Sequence, residues 1–309
     1  MADTEYKCMP CYHPLTAYRS EGKVVFNSPF VYAKGFNLPC GQCVGCRLNY
    51  SRQWAIRLVH EAQMHENKSF ITLTFNPESL NNRDVPQSLD VRDFQLFMKK
   101  LRKKHKNKKL RFFHCGEYGE KNKRPHYHAL IYGHEFPDKK LWQERDGIKL
   151  YTSKELEELW PYGFSTIGDV TFQSSAYVAR YIMKKQNNTT DIHIEPTTGE
   201  CVELQKTYCT MSRKPGIGNE WLKKYTSDVF PRDYVVINNH EVKPPRYYLE
   251  QLNNEKNKEL YNPVLYEQIK EKRKKEMDEP LIEYDERMDR LWVQEEVKIQ
   301  KLKQLIRNI

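Results

Sequence analysis

Apolar positions recur along this chain with two periods. Phe70-Ile71-Thr72-Leu73-Thr74-Phe75 alternates, is rich in β-branched residues and stops at Asn76-Pro77, which predicts a strand. Residues 110–115 and 126–132 predict two more strands. A charged connector with two glycines separates them, so 110–132 is expected to form a hairpin. Residues 164–172 hold another short strand and 234–237 a last one. At helical spacing, Trp54, Leu58, Ala62 and His65 predict a helix over 49–66 capped by Asn49 or Ser51. Val91, Phe94, Phe97, Met98 and Leu101 predict a second over 90–104. Thr152-x-x-Glu155 has the form of a capping box opening a short helix through Trp160. Residues 174–185 predict a helix with Ser174 as its cap and Val178 and Ile182 as its core stripe. Residues 79–88, 135–150 and 187–200 are expected to be loops. From Lys243 the composition shifts: 247–309 is charged and helix-prone, broken at Pro263 and Pro280, with Ile299, Leu302, Leu305 and Ile306 as an apolar edge. Those helices are expected to pack on the body or on a second copy, or in part to trail as a mobile tail. No repeat of fixed period is present.

Composition narrows the partner. The 309 residues carry a formal net charge of +10, and 20 tyrosines are interleaved with the lysines and arginines. That balance favours a polyanion, nucleic acid before membrane surface, with tyrosines suited to stacking on unpaired bases. No apolar run approaches the length of a membrane span and no hydrophobic signal segment follows Met1, so the protein is expected to stay in the compartment where it is made. Eight cysteines occur, five of them in the first 46 residues. Without a secretory signal, such clustering indicates metal binding rather than a disulfide framework.

The candidate chemistry sits in four places. Cys40-Gly-Gln-Cys43-Val-Gly-Cys46 lets three thiolates converge on one ion, and a tetrahedral structural Zn2+ needs a fourth ligand, which Cys11 or Cys8 can supply. His126 and His128 stand two apart in a strand and so share one face. Glu117, near the end of the partner strand, can reach them across the ladder. Two imidazoles and a carboxylate suit a divalent cation such as Mg2+ or Mn2+ acting on a phosphate. Tyr177 and Tyr181 are four apart on one helix face and supply candidate nucleophiles, with Arg180, Lys184 and Lys185 as the local cations. Finally, the dense basic block 99–109, Lys103 and Lys104 included, and the turn at Arg213-Lys214 are candidate phosphate-backbone contacts, as is Arg124 at the hairpin. Neither a Walker P-loop nor a GxGxxG is present, so no nucleotide cofactor is expected.

Taken together these residues resemble the HUH endonucleases, the nicking enzymes of rolling-circle replication. Residues 70–75 resemble their first motif strand, His126-Tyr127-His128 their His-hydrophobe-His metal motif, and Tyr177-x-x-x-Tyr181 their two-tyrosine motif. More narrowly, Cys11-Tyr12-His13-Pro14, residues 39–47 with Ser51-Arg52-Gln53-Trp54-Ala55, Gly116-Glu117-Tyr118-Gly119, 124–133, 177–185 and 212–218 resemble in order the replication initiators of gokushovirus-type microviruses. The tail after 248 carries no such resemblance. The resemblance implies an α+β fold, a central antiparallel sheet flanked by helices, with an N-terminal zinc knuckle and a helical C-terminal extension. It favours Cys11 over Cys8 as the fourth zinc ligand. It implies three regions: a Cys-rich element over 1–48, a nicking domain over 49–243 and an extension over 244–309. The implied activity is site-specific nicking of origin DNA, as double-stranded replicative form and as single strand. A cation held by His126, His128 and Glu117 assists Tyr177 or Tyr181, giving a 5′-phosphotyrosine and a free 3′-OH, and strands are then joined into circles. Host replication polymerase and helicase are the implied protein partners, and the cytoplasm of the bacterial host the implied location. Two readings compete: a plasmid initiator, relaxase or transposase of the same superfamily, and a non-enzymatic, zinc-containing nucleic-acid binder. The middle residue of the motif, Tyr127, is expected to face the core.

Overall fold

The chain was analysed as a computed structural model that describes residues 11–119, 122–145, 147–184, 192–194, 199, 201–277 and 284–304. At 145, 181–184, 192–194, 277 and 284–288 the description is of backbone alone. In chain order come strands β1 (Leu15–Ser20), β2 (Lys23–Val25) and β3 (Phe36–Leu38), helix α1 (Val44–Gln63), strand β4 (Lys68–Thr74), helices α2 (Pro77–Asn81) and α3 (Val91–Lys104), then strands β5 (Arg111–Tyr118), β6 (Pro125–Tyr132), β7 (Lys140–Arg145) and β8 (Ile148–Thr152). Next are helix α4 (Lys154–Leu159), strand β9 (Ser165–Gly168), helix α5 (Phe172–Lys184), strands β10 (Ile192–Ile194), β11 (Cys201–Glu203) and β12 (Tyr208–Met211) and helix α6 (Asn219–Val229). Strands β13 (Val235–Ile237) and β14 (His240–Val242) and helices α7 (Arg246–Leu252), α8 (Pro263–Met277) and α9 (Tyr284–Gln304) complete the order. They fall into two compact units: Trp54–Trp221, and the described residues up to Gln53 together with those from Leu222 onward.

The first of these units is built on a seven-stranded sheet of order β12-β5-β6-β4-β9-β8-β7, antiparallel throughout. Strand alternation gives it two faces, each with its own core. Ile71, Leu73, Tyr127, Ala129 and Ile131 point to one side, where Phe94, Phe97, Met98 and Leu101 of α3 and Leu156 and Leu159 of α4 close over them. Phe70, Phe113, Cys115, Leu130 and Tyr132 point to the other, against Ala55, Leu58 and Ala62 of α1 and Val178 and Ala179 of α5. The protein is therefore α+β, a large antiparallel sheet flanked by helices. Tyr127 lies in the first core, fully buried, its hydroxyl tied to Asp90 and Asp93.

Several local expectations shift. Helix α1 starts at Val44, not at 49, because its first turn is capped from afar: the Val44 N–H donates to Glu295 Oε1 at 3.2 Å and the Cys46 N–H to Cys43 Sγ at 3.4 Å. The short helix α4 is capped by Ser153, whose hydroxyl accepts from the Leu156 N–H at 3.2 Å, one residue beyond the expected Thr152. In α5, Ser174 is not the cap. The Thr171 hydroxyl accepts from the Ser174 N–H at 3.1 Å and Ser174 Oγ accepts from the Thr171 N–H at 2.8 Å, a reciprocal pair that starts the helix earlier. Residues 140–152, expected as loop, form the β7–β8 hairpin, whose turn uses Gly147 at φ +75°. No helix among the described residues is long and apolar enough to cross a membrane.

The second unit carries a three-stranded sheet, β2-β1-β3, the β13–β14 pair, and helices α7 to α9. Its polar anchor is Asp233, buried, which accepts from Arg273 at 2.9 and 2.6 Å and from Lys243 at 3.2 Å. Pro263 opens α8, where its missing N–H costs nothing.

Candidate active site

The sheet register assembles the site. Glu117 on β5 stands directly opposite His126 on β6, and Cys115 opposite His128. On the other side of β6, Thr72 of β4 pairs with His128. Glu117, His126, His128 and Thr72 thus share the face covered by α1 and α5. Glu117 Oε1 lies 3.0 Å from His126 Nε2 and 3.0 Å from His128 Nε2, with the carboxylate and His128 buried. Burial works to raise the Glu117 carboxyl, but the hydrogen bonds to His126 and His128 outweigh it and hold the group well below the usual carboxylate range.

The orientation of the imidazoles bears on what the site can hold. His126 Nδ1 lies 3.2 Å from the Arg124 carbonyl, which can only accept, so that nitrogen carries its proton. A neutral His126 then turns a lone pair on Nε2 towards a carboxylate oxygen. That arrangement is repulsive until a cation, or a second ring proton, stands between them. Thr72 Oγ1, 2.9 Å from His128 Nδ1, can take the proton of that ring and leave its Nε2 equally free to coordinate. One ligand atom from each of Glu117, His126 and His128 lies within 4.8 Å of the other two, so the donor set fits a divalent cation.

Helix α5 brings Tyr177 to the same point. Its hydroxyl is 3.5 Å from Glu117 Oε1, its ring stands edge-on to His128 with centroids 5.2 Å apart, and the Arg180 guanidinium lies 5.8 Å over it. Tyr181 follows one turn later, about 6 Å along the axis. The side chains of Tyr181 and Lys184 lie outside the described residues, as does Lys185 altogether.

The remaining expected residues occupy other places. Arg124 donates to the Phe75 carbonyl at 2.8 Å and, with Lys123, lines an open pocket also walled by Pro77, Asn81 and Leu204. Lys103 and Lys104 are exposed at the end of α3, Lys104 paired with Glu158 at 3.1 Å. Arg213 and Lys214 are exposed in their turn, but its backbone is already engaged: Arg111 donates to the Pro215 carbonyl, Arg57 to that of Ile217, and the Gly218 N–H donates to Glu61. In the other unit, Cys11, Cys40, Cys43 and Cys46 place their sulfurs within 4.8 Å of one another. N–H groups of Cys40, Tyr12 and Cys46 donate to these sulfurs at 3.2–3.4 Å. Burial works to raise the Cys43 thiol, and the N–H groups of Cys46 and Tyr12 outweigh it, bringing it down to about 7. Such a set could hold zinc. His13 instead meets the Glu295 carboxylate, and Cys8 lies outside the described residues. Thr72 was not singled out from sequence; the register of β4 against the histidine strand was the signal that would have found it.

Comparison with known proteins now bears on this geometry. The chain is 37% identical over 254 residues to a replication-associated protein, VP4, of Bdellovibrio phage phiMH2K, covering 78% of this chain and 76% of that one. It belongs to the microvirus replication-associated proteins. It is also 30% identical to replication-associated protein ORF2 of Spiroplasma virus 4, over 79% of this chain and 75% of the other, and 28% identical to ORF4 of Chlamydia phage 1, over 69% and 53%. Residues 68–186 match the family model for replication-associated proteins of the ORF2 type, a span that includes Thr72, Glu117, both histidines and Tyr177. No solved structure matches.

Proposed function

We propose that this microvirus replication-associated protein starts rolling-circle replication by nicking the phage origin, and later rejoins the strand, through tyrosine transesterification of the HUH type. The observation that carries this reading is the convergence of the Tyr177 hydroxyl on the Glu117 oxygen that both histidines face. Glu117, His126 and His128 would hold Mg2+ or Mn2+, which when bound supplies Lewis-acid polarisation of the scissile phosphate.

The chain's own residues do the rest. Glu117, kept ionised, accepts the phenol hydrogen bond and aims the oxygen. The Arg180 guanidinium over the ring favours the phenolate, whose ordinary pKa is about 10. The Tyr177 oxygen attacks phosphorus. An O–P bond forms to the tyrosine, the bond to the 3′ oxygen breaks, and that oxygen leaves as a 3′-hydroxyl, taking up the proton the phenol gave up. One phosphodiester replaces another, so no energy source is consumed. Tyr181, one turn on, serves the second transfer that closes the circle, with Lys184 and Lys185 as cations beside it. The 3′-hydroxyl primes host polymerase, helped by a host helicase. Lys103, Lys104, Arg124, Arg213 and Lys214 contact the origin backbone. Zinc on Cys11, Cys40, Cys43 and Cys46 serves structure, since no acid or base among the described residues accompanies it as a fifth group within the cluster.

The test uses supercoiled replicative-form DNA of the cognate phage with Mn2+. The reading expects nicked circles carrying covalently bound protein, and their loss in His126→Ala. Nicking that persists at wild-type rate in that variant overturns the assignment.

A further inference from the structure

A second group of metal-competent side chains lies beyond the opposite end of β6 from His126 and His128, and the nicking chemistry makes no use of it. His105, His134 and Glu155 each bring one ligand atom within 4.8 Å of the other two. They come from three elements, and each is anchored by its own backbone. His105 ends α3, its N–H donating to the Leu101 carbonyl at 3.0 Å. His134 follows Gly133, whose N–H donates to the Asn67 carbonyl at 2.8 Å, while Ser69 Oγ donates to the His134 carbonyl at 3.1 Å. Glu155 is in the first turn of α4, its N–H donating to Asp138 Oδ2 at 3.0 Å.

The independent sign of a ligand is at His134. The residue is wholly buried, yet its Nε2 has no hydrogen-bond partner among the described residues. Glu155 Oε1 is 3.7 Å from that nitrogen, too far for a hydrogen bond but a natural span across a shared ion. The same oxygen meets His105 Nε2 at 2.5 Å, and the two imidazole rings are 4.3 Å apart between centroids. A buried polar nitrogen is tolerated when something satisfies it. Burial and the neighbouring His105 hold the His134 ring down to about 4, so it is neutral and keeps a lone pair to offer.

We propose that His105, His134 and Glu155 bind a divalent transition-metal ion, zinc by their donor chemistry, that pins the end of α3 to β6 and α4. Two imidazoles and one carboxylate suit zinc and its neighbours; magnesium and calcium prefer all-oxygen sets. A fourth position remains for water. One contact opposes the ion: Lys108 Nζ lies 3.4 Å from His134 Nδ1, the nitrogen that must carry the proton when Nε2 coordinates. Lys108 is exposed and can swing into solvent. Its removal is therefore expected to tighten binding, an effect that a merely structural His–Glu contact does not produce.

The test is titration of the chelator-stripped full-length protein with Co2+ alone. Wild-type protein should take up one equivalent that shows ligand-field bands without thiolate-to-cobalt charge transfer. His105→Asn and Glu155→Gln should each lose that equivalent and keep the thiolate bands of the cysteine cluster, and Lys108→Ala should bind it at lower free Co2+. In the unsubstituted protein, Zn2+ should shield His105 from carbethoxylation by diethyl pyrocarbonate. Equal cobalt stoichiometry in wild type and both variants, or equal carbethoxylation of His105 with and without zinc, would overturn the proposal.

Discussion

Replacing Thr72 by Val probes the site without touching any group that meets DNA or ligates a cation. Valine keeps the shape and the β-branch, so the pairing of Thr72 with His128 and with Thr166 across β4 should stand. What is lost is one hydrogen bond, the 2.9 Å contact between Thr72 Oγ1 and His128 Nδ1. Two magnitudes follow, and they differ. As a contribution to stability, one neutral hydrogen bond is worth about 1 kcal/mol, a small fraction of the whole. As a contribution to coordination, the partner that fixes a ligating imidazole is worth roughly 10–100-fold in metal affinity, or about 1.4–2.7 kcal/mol. The larger effect should therefore appear in the dependence on Mn2+, not in folding. The half-saturating Mn2+ concentration for origin nicking should rise by about 10–100-fold, and the rate at saturating Mn2+ should fall only a few-fold. Direct Mn2+ binding, measured by electron paramagnetic resonance, should shift in parallel. An unchanged Mn2+ dependence with normal folding would refute the idea that Thr72 sets the His128 ring for coordination. A loss of stability with unchanged Mn2+ dependence would assign Thr72 a structural role only.

Glu61→Gln leaves the buried Arg111 guanidinium without its carboxylate and removes the charge that the Gly218 N–H meets at 2.7 Å; urea unfolding should show a loss of roughly 3–5 kcal/mol. Burial tends to raise the Glu61 carboxyl, but hydrogen bonds from His65, Arg111 and Gly218 hold it below its ordinary value. A lowered folded pKa means that its stabilisation is complete above the unfolded value of about 4.3 and is lost as pH falls through the folded one, so the wild-type advantage over Gln should shrink on acidification. Gly163→Ala should cost about 1–3 kcal/mol by thermal unfolding, because a Cβ there would meet Asn76 N at 2.4 Å and the Thr74 carbonyl at 2.5 Å. Cys43→Ser should drop zinc content from about one ion per chain to none at the thiolate cluster, measured on protein purified under reducing conditions.

Much of the site could be read from one dimension. Two histidines at period 2 must share a face, and two tyrosines at i and i+4 must share a helix side. Those are local rules, and Tyr127 on the core side follows from the same alternation. Glu117 needed one fact more, the hairpin register, which depends on how the connector turns. Strand β5 runs on to Tyr118, past the point where its hydrophobic run ends, and that extension puts Glu117 opposite His126. The cap of α1 was beyond reach because Glu295 lies 251 residues away from Val44. So was the β7–β8 hairpin, a charged edge ribbon without clean apolar alternation. Arg57 looked like part of a basic surface. It is buried, stacked on Trp54 at 4.0 Å and bonded to the Ile217 carbonyl, because a guanidinium can satisfy a turn that lacks partners of its own.

The central claim is that a tyrosine of α5 takes the DNA end beside Glu117, His126 and His128. Arg180 makes it directly measurable, because trypsin cleaves after that residue and so separates Tyr177 and Tyr181 into different peptides. The protein is reacted with origin DNA and Mn2+, digested with nuclease and trypsin, and the nucleotide-bearing peptide is identified by mass spectrometry. The account predicts a 5′-phosphate on the peptide ending in Arg180 or on residues 181–184, and no adduct in the Tyr177→Phe/Tyr181→Phe double variant. A nucleotide on any other residue, or an adduct that survives in the double variant, would contradict it.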